Sequence, residues 1–156
     1  MKINWKKLIG SMAFPIILGA ITGFITSGAM EKFKYMNKPD LSPPDWLFPV
    51  VWTILYALMG ISYYLISVSG SDITTPKRLY IIQLFFNYAW SFIFFNMENY
   101  LFAFIWLVVL WILIILTAVS FYRINKTAGL LFIPYILWVT FAGYLNLSIY
   151  LLNKMV

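Results

Sequence analysis

Residues 100–121 read YLFAFIWLVVLWILIILTAVSF, a run of 22 residues without a charged side chain. As an α-helix this run would be about 33 Å long, enough to cross a bilayer hydrocarbon core of about 30 Å. Four further apolar runs of similar length occur at residues 8–27, 48–68, 79–95 and 128–152. The sequence therefore predicts an all-α membrane protein: a bundle of five transmembrane helices that forms one domain, residues 1–156.

The overall composition supports the same class of protein. The chain is 63% hydrophobic and 10% charged, whereas a soluble domain has about 25% charged residues. A chain of 156 residues is too small to bury this much apolar surface in its own core, so much of it must face lipid. The first apolar run follows lysines, as a signal peptide would, but it is too long for one, and we expect it to be retained.

The residue types that are absent exclude several kinds of site. The chain has no cysteine and no histidine, which excludes disulfides, thiolate metal sites and histidine-ligated haem. We therefore expect no metal site and no required cofactor. The five carboxylates all lie in predicted loops or at span ends, which argues against a proton-coupled pump.

Positive charge is unequally distributed between the two sides of the predicted bundle. The side of the N-terminus holds Lys2, Lys6, Lys7, Lys77, Arg78, Arg123 and Lys126, and the other side holds Lys32, Lys34, Lys38 and Lys154. The positive-inside rule then predicts a cytoplasmic N-terminus. Because these cations lie at span ends, lipid headgroups explain the net charge of +6, and we expect no nucleic-acid partner.

The first loop, residues 28–47, is the only long connection between predicted spans. Its backbone is restricted by four prolines, Pro39, Pro43, Pro44 and, just beyond it, Pro49. Trp46 and Phe48 supply apolar side chains that can pack against the bundle or the membrane interface. We predict an ordered lid over the bundle. The alternative is a simple connector whose aromatic side chains anchor it at the membrane interface.

Three spans each carry a stripe of polar or aromatic side chains at helical spacing. The stripes are Trp52, Tyr56, Met59 and Tyr63 in the second span, Gln83, Asn87 and Trp90 in the third, and Tyr135, Trp138, Ala142 and Asn146 in the fifth. Unpaired amides are costly in hydrocarbon, so we expect Gln83, Asn87 and Asn146 to face the bundle interior. There they would either join the helices by hydrogen bonds or orient a ligand between aromatic walls.

Two weaker patterns have both a structural and a functional interpretation. Gly19 and Gly23 form a small-xxx-small pair that fits either a dimer contact or packing within one chain. The triplet of Leu147, Tyr150 and Lys154 matches a loose pattern proposed for sterol contact. Such a pattern arises readily in an apolar helix that ends with a lysine, where the lysine is also a membrane-interface anchor.

Three blocks of sequence resemble the tryptophan-rich sensory protein and mitochondrial translocator protein (peripheral benzodiazepine receptor) family. Residues 43–60 contain PPDW, VW, LY and MG, residues 87–95 contain NYAW and FF, and residues 134–146 contain PY, W, FA and LN. These blocks resemble the loop with the second helix, the third helix and the fifth helix of that family, in order. One departure is Leu41, where the family usually has a tryptophan two residues before the proline pair.

The resemblance implies a receptor or sensor in a bacterial cell membrane, often a homodimer. Its expected ligands are porphyrins such as protoporphyrin IX, sterols and benzodiazepine-type drugs, bound between the first loop and the helices. Carried onto this chain, the ligand-binding residues are Pro43, Pro44, Trp46, Phe48, Trp52, Tyr56, Gln83, Asn87, Trp90, Trp138, Ala142 and Asn146. A passive transporter of such molecules and an accessory membrane subunit are the alternative functions.

The resemblance also implies light-dependent porphyrin degradation, with Trp52 and Trp138 as the catalytic, photo-oxidised side chains. Because the chain has no histidine or cysteine to ligate iron, the expected ligand is a metal-free porphyrin. Lys34 or Lys38 on the first loop are expected to pair with its propionates.

Overall fold

A computed structural model describes residues 3–154, and Lys2, one of the cations considered above, lies outside the described residues. The helices are α1, Trp5–Phe33; α2, Leu47–Ser67; α3, Thr74–Ser91; α4, Tyr100–Ile124; α5, Lys126–Leu130; and α6, Ile133–Asn153. One π-helical turn, Phe92–Asn96, extends α3, and α5 with α6 makes up the last span. Five spans are long and apolar enough to cross a membrane, which confirms the predicted fold.

The first helix is longer than its apolar run predicted. Asn4 is its N-cap residue, because the Asn4 side chain accepts a hydrogen bond from the backbone N–H of Lys7 at 3.1 Å. The helix then continues six residues past the expected end, to Phe33. The predicted loop start at residue 28 is therefore wrong, and the loop covers residues 34–46. Residues 29–33 include good helix formers, so the helix continues after the hydrophobic run has ended.

The last span is interrupted where the sequence predicted one continuous helix. Asn125 caps α5 through a hydrogen bond from the backbone N–H of Ala128 at 3.1 Å. After Leu130 the chain makes a two-residue turn, and α6 begins at Ile133 with Pro134 in its first turn. Proline has no N–H to donate to the preceding turn, and it is favoured at the start of a helix. Pro134 therefore explains the break.

Glycines allow α1 and α2 to pack closely. A side chain at Gly60 on α2 would collide with the backbone of Ser11 and Met12 on α1, and one at Gly19 on α1 would collide with the ring of Tyr56. Gly19 thus serves packing within the chain, whereas the space beside Gly23 is open. Elsewhere α3 packs on α4, and α4 packs on α5 and α6. This arrangement leaves α1 at the edge of the bundle.

We predict that Gly60→Ala weakens the contact between α1 and α2, because its methyl group would meet backbone atoms that have no rotamer to change. The expected loss is about 1–3 kcal/mol of unfolding free energy. Gly23→Ala is the matched control: its methyl group has open space, and alanine favours a helix over glycine. Thermal unfolding in detergent, followed by circular dichroism, compares the two. Equal melting temperatures would contradict this account of the packing.

Candidate functional site

A chain of hydrogen bonds joins α2, α3 and α6 at the centre of the bundle. The Tyr56 hydroxyl donates to Asn87 Oδ1 at 2.8 Å, and Asn87 Nδ2 donates to the Tyr135 hydroxyl at 2.7 Å. The Tyr135 hydroxyl donates in turn to Gln83 Oε1 at 3.1 Å. Gln83 Nε2 lies 3.7 Å from the sulfur of Met59, a weak acceptor. All of these side chains are buried, so the predicted stripes do face one another.

A second pair of hydrogen bonds joins α3, α4 and α6 closer to the first loop. Trp90 Nε1 donates to Asn146 Oδ1 at 3.1 Å, and Asn146 Nδ2 donates to the backbone carbonyl of Tyr100 at 2.7 Å. Together the two groups of bonds engage Gln83, Asn87 and Asn146. The structure thus shows these amides joining helices, which is the first of the two roles considered for them.

Aromatic side chains fill the space between α2 and α6. The Trp52 ring stacks on Tyr56 with centroids 5.5 Å apart and meets Tyr135 edge to face at 6.1 Å. On the outer side, Phe48 meets Trp138 edge to face at 5.9 Å. We call these five residues the α2–α6 aromatic cluster. The indole N–H of Trp138 is buried and has no hydrogen-bond partner within residues 3–154.

A groove of about 340 Å³ lies beside this cluster on the outer surface of the bundle. Its walls are Val51, Ile54 and Leu55 of α2 and Pro134, Leu137, Trp138 and Phe141 of α6. Ile54 and Leu137 are exposed, so the groove opens towards lipid. Its size is at the lower end of the range of about 300–1,000 Å³ for small-molecule sites.

The groove includes residues that the sequence interpretation missed. Pro134, Leu137 and Phe141 share one side of α6 at spacings of three and four residues. Helical spacing from Trp138 could have found them, but they carry no polar atom that would have drawn attention to them. Ala142, in contrast, is buried on the same side of α6 as Asn146 and is not part of the groove wall.

The first loop is ordered and bound to the helix ends around it. Asn153 near the end of α6 binds Asn37 twice: Asn153 Nδ2 donates to the Asn37 carbonyl at 3.0 Å, and the Asn37 N–H donates to Asn153 Oδ1 at 3.3 Å. The Tyr100 hydroxyl lies 3.4 Å from the sulfur of Met36. These contacts place the loop at the end of the bundle where α6 finishes, as the predicted topology requires.

The two aromatic side chains expected to hold the lid behave differently. Phe48 contacts Trp138, whereas Trp46 is 66% exposed. Of the two positions expected for these side chains, the bundle and the membrane interface, Phe48 takes the first, and Trp46 does not pack against the helices. Trp46 lies immediately before α2 and projects outward, a position suited to a membrane interface. Pro43 is half-buried and Pro44 exposed in the segment that leads to it.

The expected propionate ligands also differ in their surroundings. The Lys38 ammonium forms an ion pair with Asp45 at 3.2 Å and lies 4.2 Å from the ring centroid of Phe33. Lys34 is exposed. Lys38 is thus already neutralised by the protein, and Lys34 is the more accessible of the two cations.

The sterol-type triplet does not converge on one site. Leu147 lines a separate groove between α4 and α6. Lys154 instead lies over the ring of Tyr150, with its ammonium 5.5 Å from the ring centroid. Among the described residues, no three His, Cys, Asp or Glu side chains come together as a potential metal site.

The chain is similar to proteins from bacteria and animals over nearly its whole length. A sequence model described as the TspO/MBR family matches residues 11–152. The tryptophan-rich protein TspO of Chlorobaculum tepidum is 40% identical, over 95% of this chain and 99% of that protein. The tryptophan-rich sensory protein of Cereibacter sphaeroides is 34% identical over 98% and 95%, and the human translocator protein is 30% identical over 94% and 89%.

We predict that Tyr135→Phe destabilises the bundle and that Tyr80→Phe does not. Each substitution removes one buried hydroxyl, but only that of Tyr135 is hydrogen bonded; the hydroxyl of Tyr80 has no partner within residues 3–154. Loss of the Tyr135 hydroxyl leaves Asn87 Nδ2 and Gln83 Oε1 without their partner, which should cost about 1–3 kcal/mol. Melting temperatures in the same detergent measure the difference. Equal effects of the two substitutions would contradict the central role of Tyr135.

Proposed function

The chain belongs to the TspO/MBR family, and we propose that it is a membrane receptor or sensor for flat hydrophobic molecules, porphyrins above all. The proposed site is the α2–α6 aromatic cluster together with its groove. The observation that carries the proposal is that Trp138 lines a groove open to lipid, while Trp52, also half-buried, stands next to the groove residue Val51 on α2 and contacts Tyr135 of α6. Sterols and benzodiazepine-type drugs are further proposed ligands.

The groove favours recognition by shape and stacking. Its walls are apolar apart from the indole of Trp138, and aromatic faces stack well on planar rings. The amides that could have oriented a polar ligand are bonded to the protein. A large planar molecule that partitions into lipid suits such a site better than a small polar one does.

The residue types of the chain further define the proposed porphyrin. With no histidine or cysteine in the sequence, iron would lack its usual axial ligands, so we propose a metal-free porphyrin. Its propionates would lie at the loop end of the bundle. Lys34 is the cation that we propose for them, because binding to Lys38 would require displacement of Asp45.

Light-dependent breakdown of the porphyrin is a proposed secondary activity. An indole is the most readily oxidised side chain available near the groove. A porphyrin excited by light could accept an electron from Trp52 or Trp138 when it is stacked against them, which would leave an oxidised indole and a reduced porphyrin ring. Dissolved molecular oxygen would then be the oxidant that adds to the reduced ring and cleaves it. The two tryptophans would then act as the photo-oxidised residues.

Binding is better supported than passive transport. The hydrogen bonds from Tyr56 through Asn87 and Tyr135 to Gln83 cross the centre of the bundle. Passage of a porphyrin between the helices would have to break them together. The groove lies outside this network, so a ligand could bind there while the network stays intact.

We predict that Trp52→Leu with Trp138→Leu weakens protoporphyrin IX binding about tenfold or more, since each lost aromatic contact contributes about 0.5–1.5 kcal/mol. Porphyrin absorbance measures binding in nanodiscs, because it does not depend on the number of tryptophans. The matched control is Trp5→Leu with Trp111→Leu, which removes two exposed indoles from other helices. Equal affinities of the parent and both variants would refute the proposed site.

We predict that Trp52→Phe with Trp138→Phe retains most of the binding but abolishes light-dependent loss of the porphyrin. Phenylalanine still stacks on a planar ring but is much harder to oxidise than an indole. The rate of porphyrin bleaching under illumination, corrected for the rate without protein, is the measurement. Unchanged bleaching by this variant at equal occupancy would rule out the two indoles as the oxidised groups.

A further inference from the structure

The charged side chains are divided unequally between the two ends of the bundle. The end with the first loop holds Lys32, Lys34, Lys38 and Lys154 and the carboxylates Glu31, Asp40, Asp45 and Glu98, so its charges balance. Two of these cations form ion pairs, Lys32 with Glu98 at 2.6 Å and Lys38 with Asp45 at 3.2 Å. At the opposite end, the described residues include six cations, Lys6, Lys7, Lys77, Arg78, Arg123 and Lys126, and one carboxylate, Asp72.

Four of these six cations lie at this end of α3, α4 and α5, and α4 packs on both α3 and α5. The ring of Tyr80 on α3 packs on Phe121 of α4, with centroids 5.8 Å apart. Lys77 and Arg78 precede Tyr80 within one turn, and Arg123 follows Phe121 by two residues, so these cations lie at one level. Lys126 begins α5, three residues after Arg123. We call Lys77, Arg78, Arg123 and Lys126 the basic corner; all four are exposed.

The folded chain does not neutralise the basic corner. Within residues 3–154, none of its four cations forms an ion pair. Asp72, the carboxylate at this end, instead accepts hydrogen bonds from the Thr74 hydroxyl at 2.7 Å and the Thr74 N–H at 2.9 Å. These bonds lower the pKa of Asp72, which lies two residues before the start of α3, and keep it charged. Lys77 and Arg78 also lie near the start of a helix, where the helix dipole disfavours cations.

The surface next to the basic corner is apolar. Ile81, Ile82 and Phe85 on α3 and Leu116 and Val119 on α4 are exposed large side chains one to three turns further into the membrane. A cluster of unpaired cations above an apolar surface is complementary to a phospholipid with an anionic headgroup. Arginine is especially suited to phosphate, because its planar guanidinium can donate two parallel hydrogen bonds.

We propose that the basic corner is a binding site for an anionic phospholipid. Its phosphodiester would lie between the α3 pair, Lys77 and Arg78, and the pair formed by Arg123 and Lys126. Its acyl chains would cover the exposed apolar side chains of α3 and α4. This site lies at the opposite end of the bundle from the first loop and is independent of the proposed porphyrin site.

The test compares two variants of equal net charge in delipidated detergent solution. The corner variant carries Lys77→Gln, Arg78→Gln, Arg123→Gln and Lys126→Gln, and the control carries Lys6→Gln, Lys7→Gln, Lys34→Gln and Lys154→Gln. Native mass spectrometry titrates phosphatidylglycerol against phosphatidylcholine. We expect the parent and the control to prefer one phosphatidylglycerol per chain. The corner variant should bind it on the order of a hundredfold more weakly, because each cation near a headgroup contributes to binding.

Several outcomes would overturn the proposal. Equal weakening by the control would mean that only overall charge matters, and equal binding of both lipids by the parent would mean that the headgroup is not recognised. A further comparison measures the melting temperature of the parent protein with phosphatidylglycerol and with glycerol phosphate, which has no acyl chains. An equal rise in melting temperature with both compounds would exclude a lipid site. If the corner variant does not fold, two double variants replace it. One carries Lys77→Gln with Arg78→Gln, and the other carries Arg123→Gln with Lys126→Gln. Each pair should lose about tenfold in affinity, and no loss in either would refute the site.

Discussion

The hydrogen bonds of Tyr135 to Asn87 and Gln83 are the contact on which the rest of the bundle depends. In hydrocarbon no water can replace a lost partner, so α3 and α6 must face each other in the register that pairs these groups. That register places Tyr135 edge to face with Trp52 and brings the outer face of α6 beside α2. The groove wall at Trp138 follows from the same packing. A buried polar contact thus determines where an apolar surface is left open.

In this arrangement, the residues that stabilise the bundle differ from those of the proposed ligand site. The amides hold the helices together, and Trp138 of the α2–α6 aromatic cluster lines the open groove. A site that relies on stacking and shape has few directional requirements, so planar ligands of different chemistry can satisfy it. The range of ligands proposed for the site, from porphyrins to sterols, agrees with this property. At the other end of the bundle, recognition of a lipid headgroup would instead depend on charge.

Much of the fold was predictable because hydrophobic length and helical spacing are local properties of the sequence. They identified the five spans and the inward faces of Gln83, Asn87 and Asn146. The end of α1 at Phe33 was not predictable in this way, because a helix can continue beyond the hydrophobic core. The partners of the amides were also beyond local pattern: Asn87 and Tyr135 are 48 residues apart in sequence. The groove was missed because its extra residues are ordinary aliphatic and aromatic side chains.

We propose that planar ligands bind at the α2–α6 aromatic cluster. The most direct measurement is fluorine NMR of the protein labelled with 5-fluorotryptophan and titrated with protoporphyrin IX in nanodiscs, with each resonance assigned by substitution. If a planar ligand binds at this cluster, the resonances of Trp52 and Trp138 will shift together and saturate at one ligand per chain, while those of Trp5 and Trp111 will stay in place. Saturable shifts confined to other tryptophans, or shifts of all tryptophans without saturation, would contradict it.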